Sequence, residues 1–383
     1  AWNYGALVGV RSALGFGQAL TEPSASSLLA DLYPQRRRGR AFSIQQCLSF
    51  IGFGLGLGLG GFVAAQLGWR AAFLVVGLPG AIIAFSVMRL EEPSRGSSDR
   101  EHLGLPVEAV MEPSKTDPPS MPATPGPPGT GTKPARGPSS DNSKRSPSRR
   151  QVVAEMAAGL VDDFRTTIRI PTMRYALVGV SALLFTVTAV GSALPQFYEH
   201  QLGRTTGQAA LFVGLLLVVA GVPGVLVGGR LGDRVAPRFE GGRMSFPAVS
   251  LLAGEAVFVV SFAHMAFAAV YALELVGTFL LTLAIPALKA GISDALPATS
   301  RGAGFAAFNI VSVIAGQAAA SVVVFAIAGA VGSDYRTALL AVSPGVASGA
   351  LVLFHARKHL DRDVARILDA ITADAAQGST RRG

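Results

Sequence analysis

A glycine and three polar side chains, two of them ionisable, share one face of an apolar segment near the start of the chain. Arg11, Gly15, Gln18 and Glu22 are separated by four, three and four residues, which is the spacing of one helical face. Burying a charge in a bilayer costs at least about 2.5–3.5 kcal/mol, so intramembrane Arg and Glu usually face a cavity and a partner. Because the acid and carboxylate forms of Glu22 would interact differently with Arg11, proton binding could drive helix rearrangement. We predict that this face lines a central cavity; the alternative is that Glu22 lies at the cavity mouth and is merely solvated.

The element that carries these side chains belongs to a strongly apolar chain. Of its 383 residues, 50% are hydrophobic and 15% are charged, and the mean hydropathy is +0.44. A soluble domain needs more polar surface than this. We predict an all-α polytopic membrane protein, with runs of about 20 or more apolar residues that could each span a bilayer near 5–30, 43–66, 71–89, 174–197, 208–229, 245–264, 267–290, 306–331 and 337–355.

A charged hinge between two apolar runs occurs twice. Five residue types recur at a constant offset of 263 positions, in the pairs Asp31 and Asp294, Pro34 and Pro297, Arg38 and Arg301, Gly39 and Gly302, and Phe42 and Phe305. A repeat on this scale inside an apolar chain is typical of transporters that have two similar halves.

The same offset relates Arg11 to Glu274, which lies within the seventh span. The two halves therefore place opposite charges at equivalent positions, and we predict that both face the central cavity. A direct pair between them is conjecture, because pseudosymmetry gives equivalent places rather than contact. Other intramembrane polar residues, equally compatible with helix packing and with substrate contact, are Glu255, Asn309 and Gln317.

The loop after the fifth span carries a second charged motif, Gly229-Arg230-Leu231-Gly232-Asp233-Arg234. Charge pairs, or contacts with a helix end, could hold two halves of a transporter in an outward-open state at such a loop. The alternative is an ordinary loop that obeys the positive-inside rule. We favour a cytoplasmic gate, formed by Asp31, Arg38, Arg230, Asp233, Arg234, Asp294 and Arg301.

The net charge of +9 reflects membrane topology rather than nucleic-acid binding, because the basic residues cluster in alternate loops. This pattern predicts a multi-pass protein of the plasma (inner) membrane with the basic loops in the cytoplasm. The first span would then run from outside to inside, and the chain begins Ala1-Trp2-Asn3-Tyr4. We therefore expect the sequence to be a fragment that starts near the fourth helix of a longer protein.

A proline-rich stretch divides the chain into unequal parts. Its low apolar content cannot offset the entropy of ordering, which predicts a disordered cytoplasmic linker. The predicted organisation is a partial N-terminal bundle of three spans (1–90), the linker (91–150), a cytoplasmic amphipathic helix (151–172), a C-terminal six-helix bundle (173–355) and a cytoplasmic tail (356–383). The tail fits an amphipathic helix and a solvated segment equally well.

Glycines in the second span match two patterns. Gly56-x-Gly58-x-x-Gly61 has the form of a dinucleotide fingerprint, but the βα context and the later acidic residue are missing. The four-residue spacing of Gly52, Gly56 and Gly60 instead predicts a smooth face for helix packing. We expect no cofactor, no metal and no enzyme activity, since no catalytic constellation is visible.

Several motifs together resemble the major facilitator superfamily. Residues 11–19 resemble the arginine-glycine motif on the fourth helix of that family, and residues 31–41 and 68–73 resemble the loops after its fourth and fifth helices. Residues 229–234 resemble the second-half copy of its signature cytoplasmic loop, although Ala236-Pro237 departs from the usual Gly-Arg ending. The motifs occur in the family's order along essentially the whole chain.

Within the superfamily, residues 77–80, 92–96 and 194–198 resemble the spinster-like branch. One departure is Gln18, where that branch usually has glutamate. The resemblance implies two six-helix bundles, with about nine of twelve helices present here, that rock around a central site. It also implies a proton gradient as the driving force and an amphiphilic or lipid-like organic solute as the substrate.

The partners we expect are therefore this solute, protons and membrane lipids, with no nucleic acid, and the protein is expected to be a monomer. One alternative is a multidrug or metabolite exporter, or an importer of organic anions, on the same fold. Another is a truncated membrane scaffold that does not transport.

Overall fold

The computed structural model describes residues 4–89, 97–102, 165, 167–298, 301–318 and 320–380, and within these ranges the regular structure is helical. The N-terminal part contains α1 (Tyr4–Leu32), α2 (Gln35–Leu67), α3 (Trp69–Val87) and the short α4 (Ser97–His102). The rest contains α5 (Pro171–Leu202), α6 (Thr206–Leu215), α7 (Val222–Val235), α8 (Gly242–Ser261), α9 (Phe267–Asp294), α10 (Arg301–Val311), α11 (Ala320–Ala330), α12 (Tyr335–Val342) and α13 (Pro344–Thr380).

Within the described residues, each of the nine predicted spans coincides largely with helix, which confirms the all-α membrane fold. Two spans contain a π-helical stretch, Leu216–Gly221 between α6 and α7 and Ser312–Ala318 after α10. Among the described residues, the segments long and apolar enough to cross a bilayer are Arg70–Val87, Pro171–Leu202, Thr206–Arg238, Gly242–Ser261, Phe267–Asp294 and Tyr335–Ala373. The chain is therefore a multi-pass integral membrane protein.

Large apolar side chains on the outside of the bundle are consistent with contact with lipid. Phe73 and Leu74 of α3 are each 74% exposed, and Ile83 of the same helix is 62% exposed. Such a continuous exposed apolar surface is rare on soluble monomers but is required where lipid replaces water.

Two buried apolar clusters lie at different depths of the bundle. One lies beneath the charged hinges and joins both parts of the chain, since it includes Phe42 of α2 and Phe305 of α10, whose ring centroids are 6.4 Å apart. The other lies within the C-terminal part, around Phe197 and Phe262. The repeated phenylalanine of the hinge thus packs against its own counterpart.

The predicted tail begins in the middle of a helix. α13 continues from the last span to Thr380, and its Asp363 side chain is buried. Asp363 accepts hydrogen bonds from the backbone N–H of Thr172 at 3.0 Å and from its hydroxyl at 2.7 Å, in the first turn of α5. A carboxylate there satisfies an amide that has no partner within its own helix and complements the helix dipole. The predicted boundary between the last span and the tail, at residue 355, therefore falls inside one continuous helix.

Residues 97–102 lie inside the segment predicted as a disordered linker, and that prediction is wrong for them because they form α4. The remainder of the linker and residues 151–164 of the predicted amphipathic helix lie outside the described residues.

Candidate functional site

The two copies of the charged hinge exchange ion pairs with each other. Arg38 donates from Nη1 to Oδ1 of Asp294 at 2.7 Å, and Arg301 donates from Nη1 to Oδ1 of Asp31, also at 2.7 Å. Each arginine additionally donates from Nε to a carbonyl at the end of the preceding helix: Arg38 to Ala30 O at 3.2 Å and Arg301 to Ser293 O at 3.3 Å. Because the two sets are related by the 263-residue offset, the contacts have approximate twofold symmetry.

A fifth charged residue, Asp99 of α4, lies between the two arginines. Its Oδ1 accepts from Nη2 of Arg38 at 2.6 Å, and its Oδ2 accepts from Nη2 of Arg301 at 2.8 Å. Both guanidinium groups are almost completely buried. We call Asp31, Arg38, Asp99, Asp294 and Arg301 the hinge lock; charge-assisted bonds of this geometry are the stronger class of hydrogen bond.

The protonation state of Asp99 follows from its neighbours. Burial alone would raise the pKa of the Asp99 carboxyl, but the charges of Arg38 and Arg301 outweigh burial and hold that pKa below its usual value. Because this pKa is lowered, the ion pairs of Asp99 stabilise the folded state fully above the unfolded-state pKa of about 3.9. This stabilisation is lost only as the pH falls through the pKa of Asp99 in the folded state. Asp99 is therefore ionised throughout the neutral pH range.

Asp233 forms a second link between the two parts of the chain. Its Oδ1 accepts from the backbone N–H of Gly39 at 3.0 Å and its Oδ2 from that of Arg40 at 2.9 Å, near the start of α2. Arg243 joins Asp233 to the hinge lock, with Nη1 at 3.4 Å from Asp233 Oδ1 and Nε at 2.7 Å from Asp294 Oδ2. The predicted contact between a gate carboxylate and a helix end is present in this arrangement.

The arginines predicted to accompany Asp233 do not contact it. Arg230 is exposed, and the hydrogen bond recorded for its side chain goes to Leu226 O at 3.4 Å in its own helix. Arg234 is exposed and has no ion pair within the described part of the chain. The gate prediction is therefore wrong for these two arginines, because their positions on α7 point them away from α2 and α9. Arg243 supplies the contact instead.

Glycines allow the two parts of the chain to approach closely around Asp233. A Cβ atom added to Gly39 would lie 2.5 Å from Asp233 Oδ1, and one added to Gly229 would lie 2.5 Å from Gly39 O. By contrast, no described atom lies within 4 Å of a Cβ added to Gly52 or Gly56. The described residues therefore do not show the predicted packing face at Gly52 and Gly56. The surroundings of Gly60 lie outside the described residues.

A cavity of about 570 Å³ lies between the two parts of the chain, directly beneath the hinge lock. Its wall is largely apolar and comes from both parts, including Phe50 of α2 and Leu281 of α9. The polar side chains that line it are Glu22, Ser26, Gln46, Thr186, Glu255, Thr278, Thr282, Lys289, Asn309, Ser312 and Gln317. An apolar pocket with a few convergent polar groups is the usual form of a small-molecule site.

An ion pair crosses this cavity. Lys289 of α9 donates from Nζ to Glu22 of α1, and to Oε1 of Gln46 of α2 at 3.3 Å. The Glu22 side chain is 47% exposed and that of Lys289 is 22% exposed, so both are accessible from the cavity. Lys289 lies five residues before Asp294, or about 7.5 Å along the helix, which couples the position of the ion pair to that of the hinge lock.

The other residues predicted for the central cavity are distributed differently. The side chains of Arg11 and Gln18 lie outside the described residues, so their roles stay predictions. Glu274 is fully buried, and Tyr198 of α5 donates a hydrogen bond to it. Glu274 is not among the described cavity residues, and the prediction that it lines the cavity is wrong, because its carboxylate is buried against the hydroxyl of Tyr198.

Three residues of the site were missed by sequence reasoning. Lys289 lies near the end of an apolar run and was overlooked, although an intramembrane lysine is a functional signal in itself. Asp99 lies in a stretch whose composition resembles a linker, where only the Ser-Ser-Asp order, typical of a helix start, gives a local signal. Arg243 looked like one of many basic loop residues, and nothing in the sequence distinguishes it.

Comparison with known proteins agrees with this architecture. The model of the Major Facilitator Superfamily matches residues 1–321 of the chain. The chain belongs to the major facilitator superfamily. Over 116 residues, or 29% of this chain, it is 32% identical to the 4-hydroxybenzoate transporter PcaK of Pseudomonas aeruginosa, and this match spans 25% of that transporter's length.

The fold of the chain is also similar to that of a solved structure. It is the crystal structure of a bacterial homologue of the human lysosomal transporter Spinster, in an inward-facing and unoccupied conformation. The superposition covers 88% of this chain and 74% of that chain, with a TM-score of 0.48 and 16% sequence identity.

Removal of one hinge arginine should open the basic side of the molecule, by which we mean the side that carries the basic loops and the hinge lock. In Arg301→Ala the Asp31 and Asp99 carboxylates would stay buried without this partner, and breaking a buried pair in this way costs about 3–5 kcal/mol. We expect a large rise in the rate at which an impermeant maleimide labels a cysteine placed at Ser26, which is 1% exposed and lines the cavity.

The measurement uses inside-out membrane vesicles and a background in which Cys47, the sole cysteine, is replaced by alanine. Arg234→Ala is the matched control, since it removes the same charge from an exposed position. Equal labelling of Arg301→Ala and the control would show that the hinge lock does not hold this side closed.

Proposed function

We propose that this chain belongs to a secondary active transporter of the plasma (inner) membrane that works by alternating access. The observation that carries the proposal is the cavity between the two parts of the chain, together with the hinge lock that joins the same two parts beside it. Opening must separate α1 and α2 from α9 and α10, because the Arg38–Asp294 and Arg301–Asp31 ion pairs join these helices. Since the lock lies among the basic loops, the positive-inside rule assigns the closed end to the cytoplasm.

We infer that transport is coupled to protons through Glu22. As a carboxylate, Glu22 pairs with Lys289 and links α1 to α9 across the cavity. When protonated, it would lose the charge that attracts Lys289, and the link between the two parts would weaken. Proton binding at this position would thereby favour a rearrangement of the same helices that carry the hinge lock.

The cavity wall suits an amphiphilic organic solute. Apolar side chains from both parts could bind a hydrocarbon or aromatic body, while the cluster of Glu22, Lys289 and Gln46 could bind a polar group of the solute. This combination supports the lipid-like substrate implied by the resemblance to the spinster-like branch.

A second candidate is an importer of organic anions. Lys289 supplies a cation inside the cavity, and anionic groups bind there if Glu22 is neutralised. PcaK, with which the chain shares the 116-residue match, is named as a transporter of 4-hydroxybenzoate, itself an aromatic carboxylate.

Uptake by the full-length protein in proteoliposomes tests the proposed function. An imposed pH gradient should drive accumulation of one solute class from a panel of lysophospholipids, 4-hydroxybenzoate and a cationic dye, and a protonophore should abolish it. Accumulation of 4-hydroxybenzoate alone would select the second candidate. Absence of gradient-driven flux for every class would reject proton-coupled transport and favour a membrane scaffold that does not transport.

A further inference from the structure

The linker carries a carboxylate into a binding site built by both hinges. Arg38 comes from the first hinge and Arg301 from the second, and each presents Nη2 to a different oxygen of Asp99. Asp99 itself is buried, although it lies only twelve residues beyond Val87, where α3 ends. Such a two-pronged contact requires both arginines to be close together, as they are in this structure.

The second hinge provides no counterpart of this carboxylate. The position 263 residues after Asp99 is Arg362, an exposed residue of α13. The symmetric ion pairs of Arg38 with Asp294 and of Arg301 with Asp31 are therefore complete without the linker. Asp99 is an additional, asymmetric contact, and it depends on where the linker places α4.

Two serines fix this segment to the first part of the chain. Ser97 donates its hydroxyl to Asp31 O at 2.9 Å, and Ser98 donates to Ala30 O at 3.0 Å. These carbonyls belong to the last turn of α1, where helix carbonyls have no partner within the helix. The segment should therefore move with α1 when the two parts separate and should lose its contact with Arg301.

The geometry points to residues 97–99 as an intramolecular clamp: the two hinge arginines form a carboxylate-binding site whose ligand is the Ser-Ser-Asp segment of the linker. The clamp stabilises the closed state of the basic side and gives the linker control over opening. This inference rests on the proposed alternating access only in so far as the closed state must open; it requires no particular solute or proton coupling.

Labelling of the Ser26→Cys reporter in inside-out vesicles tests the clamp. Asp99→Asn keeps the shape of the side chain but removes its charge, and we expect labelling to become about tenfold faster, a change of 1.4 kcal/mol in the opening equilibrium. The matched control is Glu101→Gln, which removes an equal charge from an exposed position on the same helix. Unchanged labelling in Asp99→Asn would overturn the inference.

A second variant tests the clamp if Asp99→Asn does not fold. Folding of each variant is judged by size-exclusion chromatography. The double substitution Ser97→Ala and Ser98→Ala leaves Asp99 in place but removes the attachment to α1, and labelling should again rise. If both Asp99→Asn and this double variant label like the control, the segment is no clamp. Since labelling needs no solute, a positive result together with absent pH-driven uptake would keep the clamp and reject the proposed transport function.

Discussion

Replacement of Glu22 by glutamine should abolish solute flux driven by a pH gradient while leaving the protein folded. The reason is that glutamine neither binds a proton in this pH range nor carries the charge that holds Lys289. Its amide can still accept a hydrogen bond from Lys289, so packing around Gln46 should be preserved. We therefore expect loss of gradient-driven accumulation with little change in thermal stability.

The measurement is uptake into proteoliposomes with and without an imposed pH gradient, together with size-exclusion chromatography of each variant. Glu22→Asp is the matched control, because it keeps a titratable group on the same helix face and should retain part of the driven flux. Driven flux of wild-type magnitude in Glu22→Gln would eliminate Glu22 as the proton carrier and leave Glu255 as the other carboxylate of the cavity.

The helices and the repeat could be predicted from the sequence because both depend on local patterns. Each span is a run of apolar residues, and in a membrane such a run must be helical since its backbone groups have no water to bond. The hinge repeat was visible because both copies keep the same residue types at the same offset. It singled out Asp31, Arg38, Asp294 and Arg301, which the structure joins by ion pairs, and their role as a gate stays a prediction.

The partners of these residues could not be predicted in the same way. Pseudosymmetry gives equivalent places, but the structure brings Asp31 to Arg301 and Arg38 to Asp294, across the two copies rather than within each one. Lys289 and Arg243 show the same limit, because each depends on how α9 and α8 pack against α1 and α2. Pairing across a bundle is a tertiary property, so the predicted partners Arg230 and Arg234 were wrong.

Asp99 was missed for a different reason. The low apolar content of the linker predicts that it cannot form a core of its own. A short segment can nevertheless be ordered when another surface supplies its partners, and here two buried guanidinium groups and two helix-end carbonyls do so.

A disulfide across the two hinges should arrest transport. Ser27 of α1 and Gly302 of α10 face each other beside the hinge lock, and a Cβ added to Gly302 would lie 3.9 Å from the Cβ of Ser27. This separation falls within the range of about 3.5–4.5 Å found in disulfides. Oxidation of the Ser27→Cys, Gly302→Cys variant should therefore close the bond without moving the backbone, and it should hold the two parts together at the basic side.

Covalent closure has a larger effect than the loss of any single ion pair. In the proposed cycle each ion pair of the lock would break and re-form, whereas a disulfide between α1 and α10 cannot open without a reductant. The background again replaces Cys47 by alanine, so that the bond can form only between the two introduced cysteines. The two single-cysteine variants are matched controls, since each carries one of the changes without the ability to cross-link.

The most direct test of alternating access is pH-driven uptake by this double-cysteine variant in proteoliposomes, measured before oxidation, after oxidation and after reduction. If the hinges must separate in every cycle, uptake should fall to the level of empty liposomes after oxidation and return with dithiothreitol, while the single-cysteine variants are unaffected. Uptake at the initial rate by protein that is fully cross-linked would contradict the account, because transport would then proceed with the two parts joined at the basic side.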